Sequence, residues 1–390
     1  MPTEVIRVVI VGCGVVGAAI AYELSQITGL AITVVDRQPP AQAATGAALG
    51  VLMGVVSQKT KGRAWNLRQS SLRRYQQWIP ALEALTGQRV PVNHQGILLL
   101  GFEADLSKWD ALIATRREQG WRLERWTPEQ VGDRCPQLSL NGITAGIYSP
   151  QDCQIDPTAL THALVAGAAK RGVQFDFFSP VESLEFANTA ELADATQQRC
   201  VGVRTVQGDR LLADWVVIAS GLGTTPLLDS LPPPKIDIRP VLGQAMRVKL
   251  AKPMGDRTFQ PVITGDDIHI VPLGDGEYWI GATVEFPEDE PSTSLGHGNT
   301  PEAIAAHPAA LEKVWQGAIA LCPALTEAEV LHTWSGLRPR PAHRPAPVLE
   351  RLATCPNLIL ATGHYRNGVL LAPATAEWVK EEISGAIGSL

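Results

Sequence analysis

The sequence predicts an α/β protein in which a parallel-sheet unit with flanking helices is joined to a smaller unit built on an antiparallel sheet. Three observations carry this. Near the N-terminus an apolar run passes through closely spaced glycines into a helical pattern. Near the C-terminus a second apolar run, LILAT, ends at Gly363 and again leads into a helical pattern. Between them, residues 239–284 alternate apolar and polar side chains and are punctuated by Gly/Asp turns. A chain of 390 residues is also long for one ordinary core, so two units are expected.

Residues 6–11, IRVVIV, are β-branched and almost continuously apolar, which suits a strand buried on both faces. Gly12-Cys13-Gly14-Val15-Val16-Gly17 comes next, then the helical pattern AAIAYELSQ, then a second strand, AITVVD, ending in Asp36. Gly12 allows the tight turn, Gly14 lets the backbone approach a pyrophosphate, and Gly17 lets helix and strand pack closely. The helix start offers N–H groups and a positive dipole end to phosphate. Asp36, about twenty residues past Gly17, can accept hydrogen bonds from a ribose 2′-hydroxyl and disfavours a 2′-phosphate. Strand, loop, helix, strand and acid in register give a Rossmann-type dinucleotide site, where a coincidental glycine turn would lack that register. Residues 41–54, AQAATGAALGVLMG, are small and glycine-rich. They can lay backbone against a large flat ligand, or serve as a close-packing segment.

Helical spacing of Leu67, Leu72, Tyr75 and Trp78 predicts a helix over 62–86. A strand is expected at 95–102 and a helix around 104–119. Asp156-Pro157-Thr158 reads as a helix start, with apolar positions 160, 164 and 168 and a stop at Gly172. A strand, VQFDF, returns. Residues 201–224 read as a hairpin turning at Gln207-Gly208-Asp209, then the buried strand WVVIAS and Ser220-Gly221-Leu222-Gly223. Residues 286–301 read as a surface loop, either a lid or a solvated connection, and 301–325 return to helix. The expected division assigns 1–85, 146–235 and 331–390 to the nucleotide-binding unit, and 86–145 and 236–330 to the substrate unit.

The formal charge is −6 with no block of Lys and Arg, which argues against a nucleic-acid partner. Six scattered cysteines form no Cys-x-x-Cys pair and no cluster with His, so free thiols in a reducing compartment are expected, and no metal. The first apolar stretch lacks the basic flank and cleavage site of a secretory signal, and its glycines make it a poor membrane span. A cytoplasmic location is expected, with any membrane association peripheral.

GCGVVG with Asp36, QIDPTAL, WVVIASG, RPVLGQ, IGATVE, WSGLRP and ATGHYRNGVLLAPAT occur in this order along essentially the whole chain. The pattern resembles the FAD-dependent amine oxidases related to D-amino-acid oxidase, and is most similar to the glycine oxidases of thiamine biosynthesis. The resemblance implies non-covalent FAD. It implies cofactor contacts from the Gly12–Gly17 loop, from Asp36 and Arg37, and from Ala44, Thr45, Leu49, Gly50 and Val51. Val181 and Gly221 are implied as well. It further implies that the backbone Gly363-His364-Tyr365-Arg366-Asn367-Gly368-Val369-Leu370 runs along the flavin. The next helix would then point its N-terminus at the edge where negative charge builds on reduction.

The activity implied is oxidation of an amine C–N bond, with hydride transfer from the α-carbon to flavin N5 and hydrolysis of the resulting imine to an oxo acid. Glycine, sarcosine or a D-amino acid are the implied substrate types, with oxygen or a quinone as acceptor. Arg338 matches the family's substrate arginine, whose planar fork can hold a carboxylate bidentately. Arg366 matches an active-site position, or locks its loop. His269 stands where glycine oxidases carry a tyrosine; it could hold a carboxylate, titrate, or pack in the sheet. The segment Arg340-Pro341-Ala342-His343-Arg344-Pro345 replaces an Asp-Gly turn and either adds positive potential or forms a rigid surface turn. Cys322 and Cys355 read as buried thiols rather than flavin attachment points. Two other functions remain open: a flavin-binding scaffold without redox activity, and an FAD-dependent 2-hydroxy-acid oxidoreductase with His269 as base. Oligomeric state is open, a homo-oligomer included.

Overall fold

In a computed structural model the protein is described over residues 5–187, 198–229, 231, 235–286 and 307–387. A six-stranded sheet runs in the order Val348–Arg351, Leu358–Thr362, Trp215–Ile218, Ile6–Val11, Leu30–Asp36, Gln174–Phe177. All its pairs are parallel except the one joining Val348–Arg351 to Leu358–Thr362. Both faces of Ile6–Val11 are covered, which is why the strand is continuously apolar. Val8 and Ile10 join the core formed with the helices Val15–Leu24, Gly62–Thr86, Pro157–Lys170 and Gly368–Ile387. Val9 and Val11 pack instead with Leu184, Val203 and Leu227, beneath a three-stranded sheet of Val181–Phe186, Cys200–Thr205 and Arg210–Leu212. One face of the parallel sheet is thus closed by helices and the other largely by a hairpin sheet.

A second sheet has eight strands, in the order Glu329–Pro341, Ile238–Lys249, Glu277–Gly281, Ile268–Gly274, Val262–Gly265, Ile97–Gly101, Ala145–Ser149, Glu124–Trp126. It is antiparallel apart from the pair of Val262–Gly265 with Ile97–Gly101. One face packs on the helix Pro308–Leu321 through Val314, Ala318 and Leu321. On the other face Ala245, Val262 and Val271 pack with Leu49, which comes from the small-residue segment beside the parallel sheet.

The helix expected over 62–86 is Gly62–Thr86, and the one expected around 104–119 is Ser107–Glu118. Asp156 caps Pro157–Lys170, its carboxylate accepting from the Thr158 and Ala159 N–H groups at 2.9 Å each. Of the helix expected over 301–325, Pro308–Leu321 is present; residues 301–306, like 287–300 of the expected loop, lie outside the described residues. The boundary expected at residue 331 falls within the strand Glu329–Pro341. The strand Glu329–Pro341 is hydrogen-bonded along Ile238–Lys249, in the eight-stranded sheet. The LRPRP stretch lengthens that strand, and the return to the parallel sheet comes only at Val348.

Candidate functional site

Gly12 ends the first strand at φ +105°, and a Cβ there would lie 2.6 Å from the Ala219 carbonyl oxygen. A Cβ on Gly17 would lie 1.9 Å from the Gly12 oxygen. The loop therefore folds onto itself in a way that only glycine permits. Gly14 precedes the helix Val15–Leu24 and no side chain caps it. First-turn N–H groups have no acceptor inside a helix, so those of Val16 and Gly17 suit a phosphate. The Val15 N–H donates to Thr45 Oγ1 at 3.0 Å, which ties the 41–54 segment to the loop.

Asp36 closes the other side. Its carboxylate accepts from the Cys13 N–H at 2.6 Å and the Gln38 N–H at 3.1 Å. Burial pushes its pKa up; these N–H groups and the Arg37 charge work against that. Asp36 thus braces the glycine loop and keeps lone pairs for a ribose hydroxyl. The Ser179 N–H donates to the Asp36 carbonyl, which brings Val181 to the same end of the sheet. Gly221, at φ +57°, comes after the strand Trp215–Ile218 at that end. A glycine cradle that a Cβ would fill, an uncapped helix start and an acid in register fit the pyrophosphate and ribose of FAD.

The 41–54 segment is wedged between the two sheets. Its Ala47 carbonyl accepts from Trp334 Nε1 at 3.1 Å. A Cβ on Gly336 would fall 2.2 Å from the Ala47 Cβ. Gly50, at φ +69°, lies where a Cβ would sit 1.8 Å from the Ile155 oxygen. Ala44, Thr45, Leu49 and Val51 are therefore held by backbone packing from both sides. Two residues unforeseen from the sequence anchor the backbone of residues 54–59. Fully buried Asp152 accepts from the Gly54, Val55 and Val56 N–H groups at 2.8 Å each. Fully buried Arg116 donates to the Val55, Ser57 and Lys59 carbonyls at 2.7, 2.6 and 2.9 Å and lies over the Trp65 ring. A single Asp in Gln151-Asp152-Cys153 and a single Arg in a polar helix give no sequence signal.

At the C-terminal end, the strand Leu358–Thr362 turns at Gly363, at φ +63°, and Tyr365, at φ +54°. His364 points into the protein, its Nε2 2.9 Å from Thr375 Oγ1. Burial pushes its pKa down to about 3, so it is a neutral brace between turn and helix. Tyr75 donates to the Val369 carbonyl and Ser71 Oγ accepts from the Ala374 N–H, fixing the start of Gly368–Ile387. Arg366 and Asn367 complete the turn. Arg366 lies 5.7 Å from the Tyr365 ring, with Nη1 3.5 Å from Asp267.

Arg338 comes from the other sheet, opposite Val241. Its Nη1 donates to the Leu242 and Thr283 carbonyls at 3.1 and 3.0 Å. The guanidinium lies over Gly243, where a Cβ would be 2.2 Å from Nη2. Among the described residues no carboxylate forms an ion pair with it. Burial pushes its pKa down, and the Arg366 charge adds to that. His269 is half-buried, with Nδ1 3.0 Å from Thr264 Oγ1. Burial holds its pKa down at about 4; Asp267 opposes this, while Arg366 and Arg338 reinforce it. The fold thus brings Arg338, Arg366 and His269 into electrostatic reach of one another. Glu285, also unforeseen, accepts from Thr283 Oγ1 and Gln244 Nε2 and acts on Arg338 only at longer range, without an ion pair. Gln244 lies in RPVLGQ and Glu285 at the end of IGATVE, so pairing those two motifs could have exposed it.

The FAD dependent oxidoreductase family matches residues 7–382. The bifunctional protein ThiO/ThiG of Trichormus variabilis is 33% identical over 376 residues, covering 96% of this chain and 52% of that protein. The chain thus spans about half the length of such relatives. The glycine oxidase of Bacillus subtilis is 25% identical over 375 residues, covering 96% of this chain and 92% of that one. The crystal structure of glycine oxidase from Bacillus cereus superposes with a TM-score of 0.82 at 26% identity, covering 98% of this chain and 95% of that one. A glycine cradle for the dinucleotide and a family match over nearly the whole length lead to one conclusion: this chain belongs to the FAD dependent oxidoreductase family.

Proposed function

We propose that this chain oxidises the C–N bond of a small amino acid of the glycine, sarcosine or D-amino-acid type, with FAD held non-covalently. The observation that carries this reading is Arg338, a half-buried guanidinium held by two carbonyls with no carboxylate ion-paired to it among the described residues. A partly desolvated cation without an ion pair favours an anion at close range, and a substrate carboxylate would supply one. Two parallel N–H···O bonds from a planar fork would also fix the α-carbon. Bound FAD supplies the two-electron acceptor. The substrate amine, once neutral, becomes an imine, which water hydrolyses to an oxo acid and ammonia or an amine. No protein base is required by this balance. His269, with Nδ1 turned to Thr264, has Nε2 left to face the substrate. Oxygen or a quinone takes the electrons onward. The two sheets act as cofactor and substrate units, with Glu329–Pro341 counted in the latter. Burial pushes the Cys322 thiol up to about 12 and raises that of Cys355, which supports non-covalent FAD. No helix among the described residues is long and apolar enough to cross a membrane.

His269 also favours a second reading. A neutral histidine in reach of Arg338 could take the hydroxyl proton of a 2-hydroxy acid. Anaerobic titration of the purified flavoprotein separates the two. Glycine, sarcosine, D-alanine and lactate are added in turn while the oxidised-flavin band is monitored. Bleaching by an amine supports the first reading, and bleaching by lactate alone the second. Arg338→Ala should keep FAD and lose kcat/KM by more than about tenfold; full turnover in that variant would remove Arg338 from the site.

A further inference from the structure

His269 and Arg338 share one face of the antiparallel sheet, and the pairing register alone places them there. His269 stands opposite Gly281, Gly281 opposite Ala245, and Ala245 opposite Trp334. Arg338 lies four residues beyond Trp334 on the same strand, so its side chain leaves from the same face. The sheet surface between imidazole and guanidinium is made by Gly281, Ala245 and Gly243, with the guanidinium over the last of these. Such small residues leave room for a small ligand between the two groups.

On its other flank His269 meets Thr264, its partner in the pairing of Val262–Gly265 with Ile268–Gly274; Oγ1 lies 3.0 Å from Nδ1. Thr264 is buried, and its hydroxyl has no other hydrogen-bond partner among the described residues. Burial keeps the ring neutral at neutral pH, so it carries one hydrogen. If Nδ1 held that hydrogen, Thr264 would accept it, and its own O–H would be a buried donor with no acceptor. If Thr264 donates instead, both groups are satisfied and the imidazole hydrogen sits on Nε2.

We propose that Thr264 is a positioning residue: its hydroxyl donates to His269 Nδ1 and fixes the tautomer whose Nε2–H, turned away from Thr264, donates to the substrate carboxylate. This deepens the amine-oxidising reading and rests on the carboxylate-binding role proposed for Arg338. In that tautomer Nε2 has no lone pair to accept a proton, so His269 cannot be the base that oxidation of a 2-hydroxy acid requires.

NMR of the holoenzyme with isotopically labelled histidine nitrogens reads the tautomer, the His269 signals being identified by their loss in His269→Gln. In the wild type Nε2 should resonate as a protonated imidazole nitrogen and Nδ1 as an unprotonated one. Thr264→Val keeps the shape and removes the donor. Its signals should shift toward a mixture of tautomers, and KM for the amine should rise about three- to tenfold with kcat changed less. Thr264→Ser, which keeps the hydroxyl, should restore both readouts, whereas a residue that merely packs the sheet would leave the tautomer unmoved. A wild-type hydrogen on Nδ1 overturns the inference. So does a tautomer and KM unchanged in Thr264→Val. If Thr264→Val does not fold, the wild-type spectrum still decides the direction of the bond. Because the tautomer is read without substrate, a flavin that no amine bleaches would sink the amine-oxidising reading, and the spectrum would still uphold or overturn the role of Thr264.

Discussion

Burying a guanidinium costs several kcal/mol unless its donors are satisfied and its charge is offset. Arg338 meets the first condition in part through the Leu242 and Thr283 carbonyls, and Gly243 provides the space. The second condition is met only at longer range, by Glu285, and the proposed carboxylate-binding role rests on that. His364 shows the structural case. In the fold it stays neutral down to about pH 3, whereas an unperturbed histidine protonates near 6.5. Between those values the unfolded chain binds more protons, so stability is fully present above the upper value and lost as pH falls through the window. His364→Asn keeps a side-chain amide for Thr375 but cannot titrate. Its Tm should vary less steeply than that of the wild type between about pH 6 and pH 4. An equal slope would assign the acid sensitivity to other groups. Arg338 was legible as a residue in WSGLRP, but its unpaired burial was not, because that depends on carbonyls from two distant segments.

At the scale of elements, the helix starts and glycine turns were readable because their causes are local. Asp156 caps the helix that Pro157 begins, and Gly363 stands where the chain needs a positive φ. The segment after the 41–54 stretch was not readable, because its anchors come from elsewhere in the chain. Asp152 takes three backbone N–H groups from Gly54, Val55 and Val56. Asp152→Asn keeps one acceptor oxygen and adds a buried amide donor with no acceptor waiting. The variant should lose about 1–3 kcal/mol of stability. Hydrogen exchange at the three amides should quicken; unchanged protection there would mean that Arg116 holds the segment unaided.

At the scale of the whole molecule, the two sheets are joined through a shared wedge. Trp334 donates to Ala47, Gly336 closes on the same residue, and Leu49 packs on the antiparallel sheet. The proposed flavin site is bounded by that wedge, the Gly12–Gly17 loop and the C-terminal turn. FAD should therefore stabilise both sheets together. At FAD concentrations about 100 times Kd, linkage adds about 2.7 kcal/mol. Removing FAD should lower Tm, and readdition should restore it in one cooperative transition. Two separate transitions, with FAD moving one of them alone, would show that the wedge does not couple the sheets.

Much of this protein came from local rules acting on its sequence. The glycine loop, the acid after the second strand, the alternating strands of 239–284 and the GHYRNG turn each depend on neighbours a few residues away. They were enough for the fold class and the dinucleotide site, while the candidate substrate residues came from the family resemblance. Tertiary structure alone decided that Glu329–Pro341 belongs to the antiparallel sheet, since pairing with Ile238–Lys249 is a long-range choice. It alone decided that His364 braces the core while His269 lies near two arginines, since burial and field are set by other segments. It also left Arg338 without an ion-paired carboxylate among the described residues: its charge was written in the sequence, but whether a partner stood beside it could be decided only by everything packed around it.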